Sequence, residues 1–431
     1  MNRRAIVGLV TFIILEGAVI TLQILDRRPQ TVTFFFTGDT RGLLVPCGCS
    51  SVPSGGLARR TTMLEKFRHE PDKGEIIPVE IAHGFADRGP GRKLLNQEMA
   101  RYFRREHYLV GVGSYDLLLG EQTLQQYMGD TPLYLAGGKG LPAMKTIQVG
   151  GWRLGPFSGG GETVHLVFLS QTAPGGVTLA DPVEAFKSLE KIHPKAAYVV
   201  TGQLSPRSLQ RLVKDYPNIL AAVALWETDV TTIPQKGRNT WMVYLGDKGR
   251  RFATLSISRE DGKWNVWPET AYLGPQIKSA PSVAKEVEAV LKKVEAVNKK
   301  ALARTVTPAV AGEAFMGASY CEKCHAQAHK IWSMSHHADA TKILAIDHQQ
   351  DNPACLKCHA TGLGVPGGYP NSKVDLSGVQ CEACHGQGEG HPGKKKMIVP
   401  QISRESCGVC HDRRDSPKFD AEGFWQAIRH S

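Results

Sequence analysis

Cys321-Glu322-Lys323-Cys324-His325 is the stretch on which the reading of this chain turns, because its spacing recurs. Cys355-Leu356-Lys357-Cys358-His359, Cys381-Glu382-Ala383-Cys384-His385 and Cys407-Gly408-Val409-Cys410-His411 repeat it within the last third of 431 residues. Two thiols three positions apart on a helical turn reach the two vinyl groups of one haem and form thioethers. The adjacent imidazole then meets the iron as its proximal ligand. The competing use is zinc, which takes two C-x-x-C pairs as a four-thiolate site. Four pairs out of four with His in the fifth place favour haem. The expectation is four covalently bound haem c, attached through Cys321, Cys324, Cys355, Cys358, Cys381, Cys384, Cys407 and Cys410, with His325, His359, His385 and His411 on the irons.

Around these motifs, residues 305–431 contain few long apolar runs and many Gly, Lys and His residues. Such a segment cannot bury an ordinary core for its length, and large bound cofactors would supply the missing apolar mass. Outside the motifs it offers His329, His336, His337, His348, His391 and His430. Neutral imidazole is a common sixth ligand, and an iron held between two His residues suits electron transfer. The formal charge of +11 invites a nucleic-acid or membrane-surface reading. Four haems would bring about eight propionate charges that cancel most of it, so no nucleic-acid partner is expected.

Towards the N-terminus, Pro281 to Arg304 carries Val283, Val287, Val290, Val294 and Val297 between Lys and Glu residues, the pattern of an amphipathic helix. We read 277–304 as a linker helix packed on a neighbouring domain. Residues 31–275 read as mixed α/β. The runs Thr31 to Thr37, Glu75 to Ile81, Ala197 to Thr201 and Ile219 to Leu225 are strand-like, and helical stretches such as Leu57 to Phe67 and Pro182 to Ile192 alternate with them. Thr240 to Leu245 and Phe252 to Ile257 flank Gly-Asp-Lys-Gly and read as a hairpin. At the N-terminus, Arg3 and Arg4 precede an apolar run from Ala5 to Leu25, interrupted by Glu16, with no small-x-small cleavage site after it. We read 1–28 as an N-terminal transmembrane helix or, failing that, a cleaved signal segment. Either use exports the chain to the periplasmic or extracytoplasmic face.

Two resemblances add to this. Cys321 to His325 followed by Ile331-Trp332-Ser333-Met334-Ser335-His336-His337-Ala338 resembles the tetrahaem cytochrome c-554 family. So do Cys355 to His359 with Gly367-Gly368-Tyr369, and Leu376 to Gly386, so that the likeness runs over about the last 125 residues. It implies haems packed in close pairs, distal ligands at His337, His391 and His430, and a bland role for His336. One haem of such proteins can lack a sixth protein ligand. If that holds here, we expect the Cys355/Cys358/His359 haem to be the open one, unless His348 or His329 fills that place.

The second resemblance is to 5′-nucleotidase-like metallophosphatases, on Phe36-Thr37-Gly38-Asp39-Thr40-Arg41-Gly42, Pro46-Cys47-Gly48-Cys49 and Gly55-Gly56-Leu57-Ala58-Arg59-Arg60. Asp39 stands where a first metal-binding Asp would be, but Arg41 replaces a His ligand. Ile81-Ala82-His83-Gly84-Phe85-Ala86-Asp87 and Gly113-Ser114-Tyr115-Asp116 replace the other expected ligand runs. A cation at a ligand position repels a metal, so hydrolysis should be lost. Asp39, His83, Asp87 and Asp116 are left as candidates for one odd metal site, or as capping and turn residues. Cys47 and Cys49 stand too close for an unstrained mutual disulfide, and Arg59 and Arg60 read as a solvated or propionate-facing patch.

The expected fold is therefore multidomain: an α/β metallophosphatase-like sandwich, then a mainly α, haem-packed multihaem cytochrome domain. The expected function is electron transfer, with other cytochromes or a membrane quinol-oxidising complex as redox partners. The alternative is a redox enzyme acting on a small nitrogen or sulfur oxyspecies at a five-coordinate haem.

Overall fold

The computed structural model describes residues 26–27, 30–47, 52–138, 140–150, 152–154, 157–173, 175–226, 232–246, 248–308, 315–391, 402–412, 415–416 and 419–430. The apolar run expected to cross the membrane lies outside them, as does Cys49. Among the described residues no helix is long and apolar enough to cross a membrane.

Thr31–Thr37 (TVTFFFT) seeds the fold. Its side chains alternate between two faces, and both are covered. Val32, Phe34 and Phe36 point into one core with Leu166, Val199 and Val223, whereas Phe35 points into another with Leu64, Phe67 and Leu291. The strand pairs in parallel with Glu75–Glu80 and antiparallel with Arg251–Glu260 at the centre of a six-stranded sheet. A second six-stranded sheet is built on Glu162–Phe168, Ala197–Gln203, Ile219–Leu225 and Trp241–Leu245, mutually parallel. The sheets face one another across the first core. Helices Leu57–Arg68 and Arg92–Arg105 cover one outer face; Pro182–Ile192 and Pro206–Asp215 cover the other. The result is a four-layer α/β sandwich.

The expected hairpin around Gly246 to Gly249 does not form. Trp241–Leu245 belongs to the second sheet and Arg251–Glu260 to the first, so this connection crosses between the sheets. The hairpin is the next one, where Glu260 pairs with Lys263 around Asp261 and Gly262, both at positive φ. Asp-Gly supplies the two left-handed residues that such a two-residue turn requires.

The helix Pro281–Thr305 starts on a proline, whose fixed φ suits a first turn. It buries Val283, Val287, Leu291, Val294, Asn298 and Leu302. The valine spacing misplaces part of this stripe: Val290 sits at its margin and Val297 is exposed. The helix packs on Leu57–Arg68 and Arg92–Arg105, and its last turn reaches the C-terminal region.

That region is a string of short helices: Ala318–Cys321, Ala326–Ser333, Ala340–Ile343, Pro353–His359, Cys381–His385 and Ala421–Ile428, with a 3-10 turn at Arg404–Val409. Its buried apolar cluster is small, centred on Leu302, Leu344, Leu356 and Ala360. Met334, Val409 and Phe424 stand largely exposed.

Candidate haem-binding centre

Each motif is shaped by local hydrogen bonds. In the first and fourth, the His N–H closes on the carbonyl of the leading Cys at 2.9 and 2.8 Å, one helical turn that presents both thiols and the imidazole together. The second motif lies on Pro353–His359, capped by Asn352, whose side chain accepts from Ala354 N–H at 2.9 Å. The third is held through Glu382, one of its two spacer residues. This buried carboxylate accepts from the N–H groups of Met316, Gly317 and Gly388 at 3.0, 2.9 and 2.7 Å. It ties the approach to the first motif to the loop after the third. Gln380 and Thr361 extend the same net: Gln380 Oε1 accepts from Ala318 N–H at 2.7 Å, and Thr361 Oγ1 accepts from Gln380 N–H at 2.9 Å.

The histidines meet in pairs. The rings of His325 and His391 face each other with centres 6.3 Å apart and planes 22° from parallel. His337 and His411 stand 6.0 Å apart, and His385 and His430 stand 5.8 Å apart. Two metal–nitrogen bonds of about 2 Å, plus about 1 Å from each nitrogen to its ring centre, set facing imidazoles about 6 Å apart across one metal. The residues present fit the group on that test. Each pair joins one motif His to one of the three His residues expected from outside the motifs. Burial, with each ring's neighbouring imidazoles, pushes His337 and His411 below the usual histidine range, towards the neutral form that ligates metals.

His359 belongs to none of these three pairs; it lies near enough to His411 to act on that ring electrostatically, but His411 is matched with His337. Its Nδ1 lies 2.7 Å from the Ala340 carbonyl, which fixes the ring and leaves Nε2 as the free ligand. Thr341 Oγ1 donates to the His359 carbonyl and accepts from Gly378 N–H. Neither candidate sixth ligand approaches His359. His329 lies 3.4 Å from Glu322 and tilts against Trp332, and His348 lines a cavity with Arg59, Val287 and Glu288. His336 is exposed.

The sulfurs also cluster. Cys321 and Cys381 lie within hydrogen-bond reach of one another, as do Cys358 and Cys410, and Cys384 lies near Cys407 and Cys410.

In the sandwich the candidate metal residues are otherwise engaged. Asp39 accepts from Arg41 Nε at 2.7 Å and from Lys248 N–H at 3.0 Å, with His83 Nδ1 at 3.3 Å. Burial alone would raise its carboxyl, but Arg41 and His83 hold it at about 2. Asp116 accepts from the N–H groups of His83, Gly113 and Phe85 at 2.7, 2.9 and 3.1 Å, although burial still raises its carboxyl. Asp39, Arg41 and His83 all take positive φ, which is uncommon for such residues. The single odd metal site is not assembled: among the described residues no group of three or more His, Cys, Asp or Glu side chains could hold a metal ion.

Arg60 is not the expected surface patch. It is buried and donates to Glu80 at 3.0 Å and to Thr40 Oγ1 at 2.8 Å. Arg59 donates to the carbonyls of Pro53 and Leu273. The paired Gly-Gly before them gave no sign that the second arginine would turn inward.

Residues 320–386 match the family model of cytochrome c554 and c-prime. The matched segment spans the first three motifs, and the fourth lies beyond it. No curated protein matches the chain. Among solved structures, the chain is similar to a 5′-nucleotidase precursor from Thermus thermophilus, with 16% identity and a TM-score of 0.48, over 62% of this chain and 59% of that one. It is also similar to the sulfate thiohydrolase SoxB from Thermus thermophilus (13%, TM-score 0.49, 61% and 60%). A putative 5′-nucleotidase from Staphylococcus aureus gives 13% and 0.47, over 62% and 58%. The chain thus spans under two thirds of the length of each.

Proposed function

We propose that the chain is an exported tetrahaem c-type cytochrome that carries electrons, with a sandwich domain that docks or scaffolds rather than hydrolyses. The three imidazole pairs, with ring centres about 6 Å apart, carry this reading. His325 with His391, His411 with His337, and His385 with His430 would each hold one iron between two rings, and His359 would hold the fourth alone. When bound, the haems supply one-electron chemistry with little change at the iron. The chain's residues hold the imidazoles in place and set which attachment sites are neighbours. The first lies beside the third, the third beside the fourth, and the fourth beside the second. Exposed Met334, Val409 and Phe424 offer the kind of apolar surface that a porphyrin covers.

For the sandwich, the reading rests on charge. Asp39 is bound to Arg41 and Asp116 to three backbone N–H groups, so a metal at Asp39 would have to displace a guanidinium. The division into 31–275, 277–304 and 305–431, the anchor at 1–28, the periplasmic location and redox-protein partners belong to the same proposal.

His337→Ala, His391→Ala and His430→Ala should each turn one low-spin haem high-spin, whereas His336→Ala should leave the spectrum unchanged. An unaltered spectrum in the first three variants would refute the ligand set. A second reading has one observation in its favour: His359 is the one motif histidine outside the three imidazole pairs among the described residues. A haem bound there would have a free face, suited to reduction or oxidation of a small nitrogen or sulfur oxyspecies. Turnover of such a compound, abolished by His359→Gly and untouched by His430→Ala, would favour it.

A further inference from the structure

The sandwich meets the second motif through one loop. A Cβ on Gly89 would lie 3.0 Å from Nδ2 of Asn352, the residue that caps Pro353–His359. Gly91 backs onto Val294 and Asn298 of the long helix, whose Leu302 packs with Leu356 inside the second motif. Immediately before these two contacts in the loop, Arg88 pairs with Asp415, four residues beyond His411. Arg88 and Asp415 both lie near enough to Cys355 and Cys358 to act on the two sulfurs electrostatically. Arg88 outweighs Asp415 at Cys355, whereas at Cys358 the motif's own Lys357 is the strongest nearby charge, followed by Asp415 and then Arg88.

We propose that Arg88 is a positioning residue of the second haem: the sandwich sets a positive charge beside its attachment sulfurs, which raises its reduction potential and favours anionic over neutral ligands at its iron. The inference rests on the reading that His359 is the sole axial imidazole of that haem. Reduction adds an electron, so a nearby cation favours the reduced form, and the same field draws an anion to the ferric form. Asp415 supplies the opposing charge from the haem region itself. The side chain of Arg88 is 41% exposed, so water screens the effect and keeps it modest. Fusion of the two regions then has a direct chemical consequence at one haem.

The test uses the full-length, haem-loaded protein as wild type, Arg88→Gln, Arg88→Lys and Asp415→Asn. The high-spin component is titrated redox-potentiometrically, and the ferric protein is titrated with azide, an anion, and with imidazole, which is neutral. Arg88→Gln should lower the potential and weaken azide by about three- to tenfold while leaving imidazole unchanged. Asp415→Asn should move both readouts the other way, and Arg88→Lys should behave as wild type. A purely mechanical strut predicts shifts of the same sign in Arg88→Gln and Asp415→Asn, or equal weakening of azide and imidazole; either result overturns the assignment. A wild type with no high-spin component that binds neither ligand defeats the open-haem reading and this inference together. A high-spin wild type with an indifferent Arg88→Gln defeats this inference alone.

Discussion

The sandwich and the cysteine-rich region treat their polar side chains in opposite ways. In the sandwich, groups that could do chemistry are consumed by the fold. Arg60 and Glu80 neutralise one another with almost no exposure, and Asp39 and Asp116 each have three close polar partners. In the C-terminal region imidazoles are held by their neighbours yet left in pairs with ring centres about 6 Å apart, the span of a metal held between two nitrogens. One region closes on itself through alternating apolar strands. The other has a small apolar cluster and short helices, and so depends on what it binds. A fold can outlast its site, and a site can stand in for a core.

That contrast can be broken most severely at the motifs. Cys381→Ala with Cys384→Ala should remove one haem and collapse the packing of the C-terminal region, seen as lost haem absorbance and rapid proteolysis after residue 305. The sandwich should retain its far-UV circular dichroism. Next in size, Arg60→Ala leaves Glu80 buried and unpaired and should cost about 3–5 kcal/mol in denaturant unfolding of the sandwich, with no change in the haem spectrum. If both regions lose stability together, they are not separable in the way described.

The long helix sharpens the comparison. Leu291→Ala, in the buried stripe, should cost about 2–4 kcal/mol; Val297→Ala, on the exposed side, should stay within about 0.5 kcal/mol. The reverse order would restore the valine-based stripe. Smaller still is a pH effect. The folded Asp39 carboxyl at about 2 lies below an unfolded value of about 4, so its contribution of about 2 kcal/mol is complete above pH ~4 and fades as pH falls through ~2. Asp39→Asn should flatten the stability profile in that window, and an unchanged acid limb would contradict the Arg41–Asp39 account.

Much of this was legible in the sequence because it was local. Motif spacing fixed which sulfurs act together, and the β-branched and aromatic run Thr31–Thr37 marked a strand. Pairing across the chain was not legible. Nothing in the string tells that His391 faces His325 rather than His385, since the match depends on loops held by Glu382, Gln380 and Thr361. Arg60 was misread because a charged residue turns inward only when a distant strand supplies Glu80. The helix stripe was misjudged because valines were counted where Leu291, Asn298 and Leu302 complete the buried line. The hairpin was misassigned because Asp261-Gly262, a two-residue signal, was passed over for the longer Gly-rich run before it.

The most direct test is the EPR spectrum of the oxidised protein, taken with a pyridine haemochrome count. The account predicts about four c-type haems per chain, one for each motif, with three low-spin ferric signals and one high-spin signal. A colourless protein carrying zinc, or a spectrum with every haem low-spin, would contradict it.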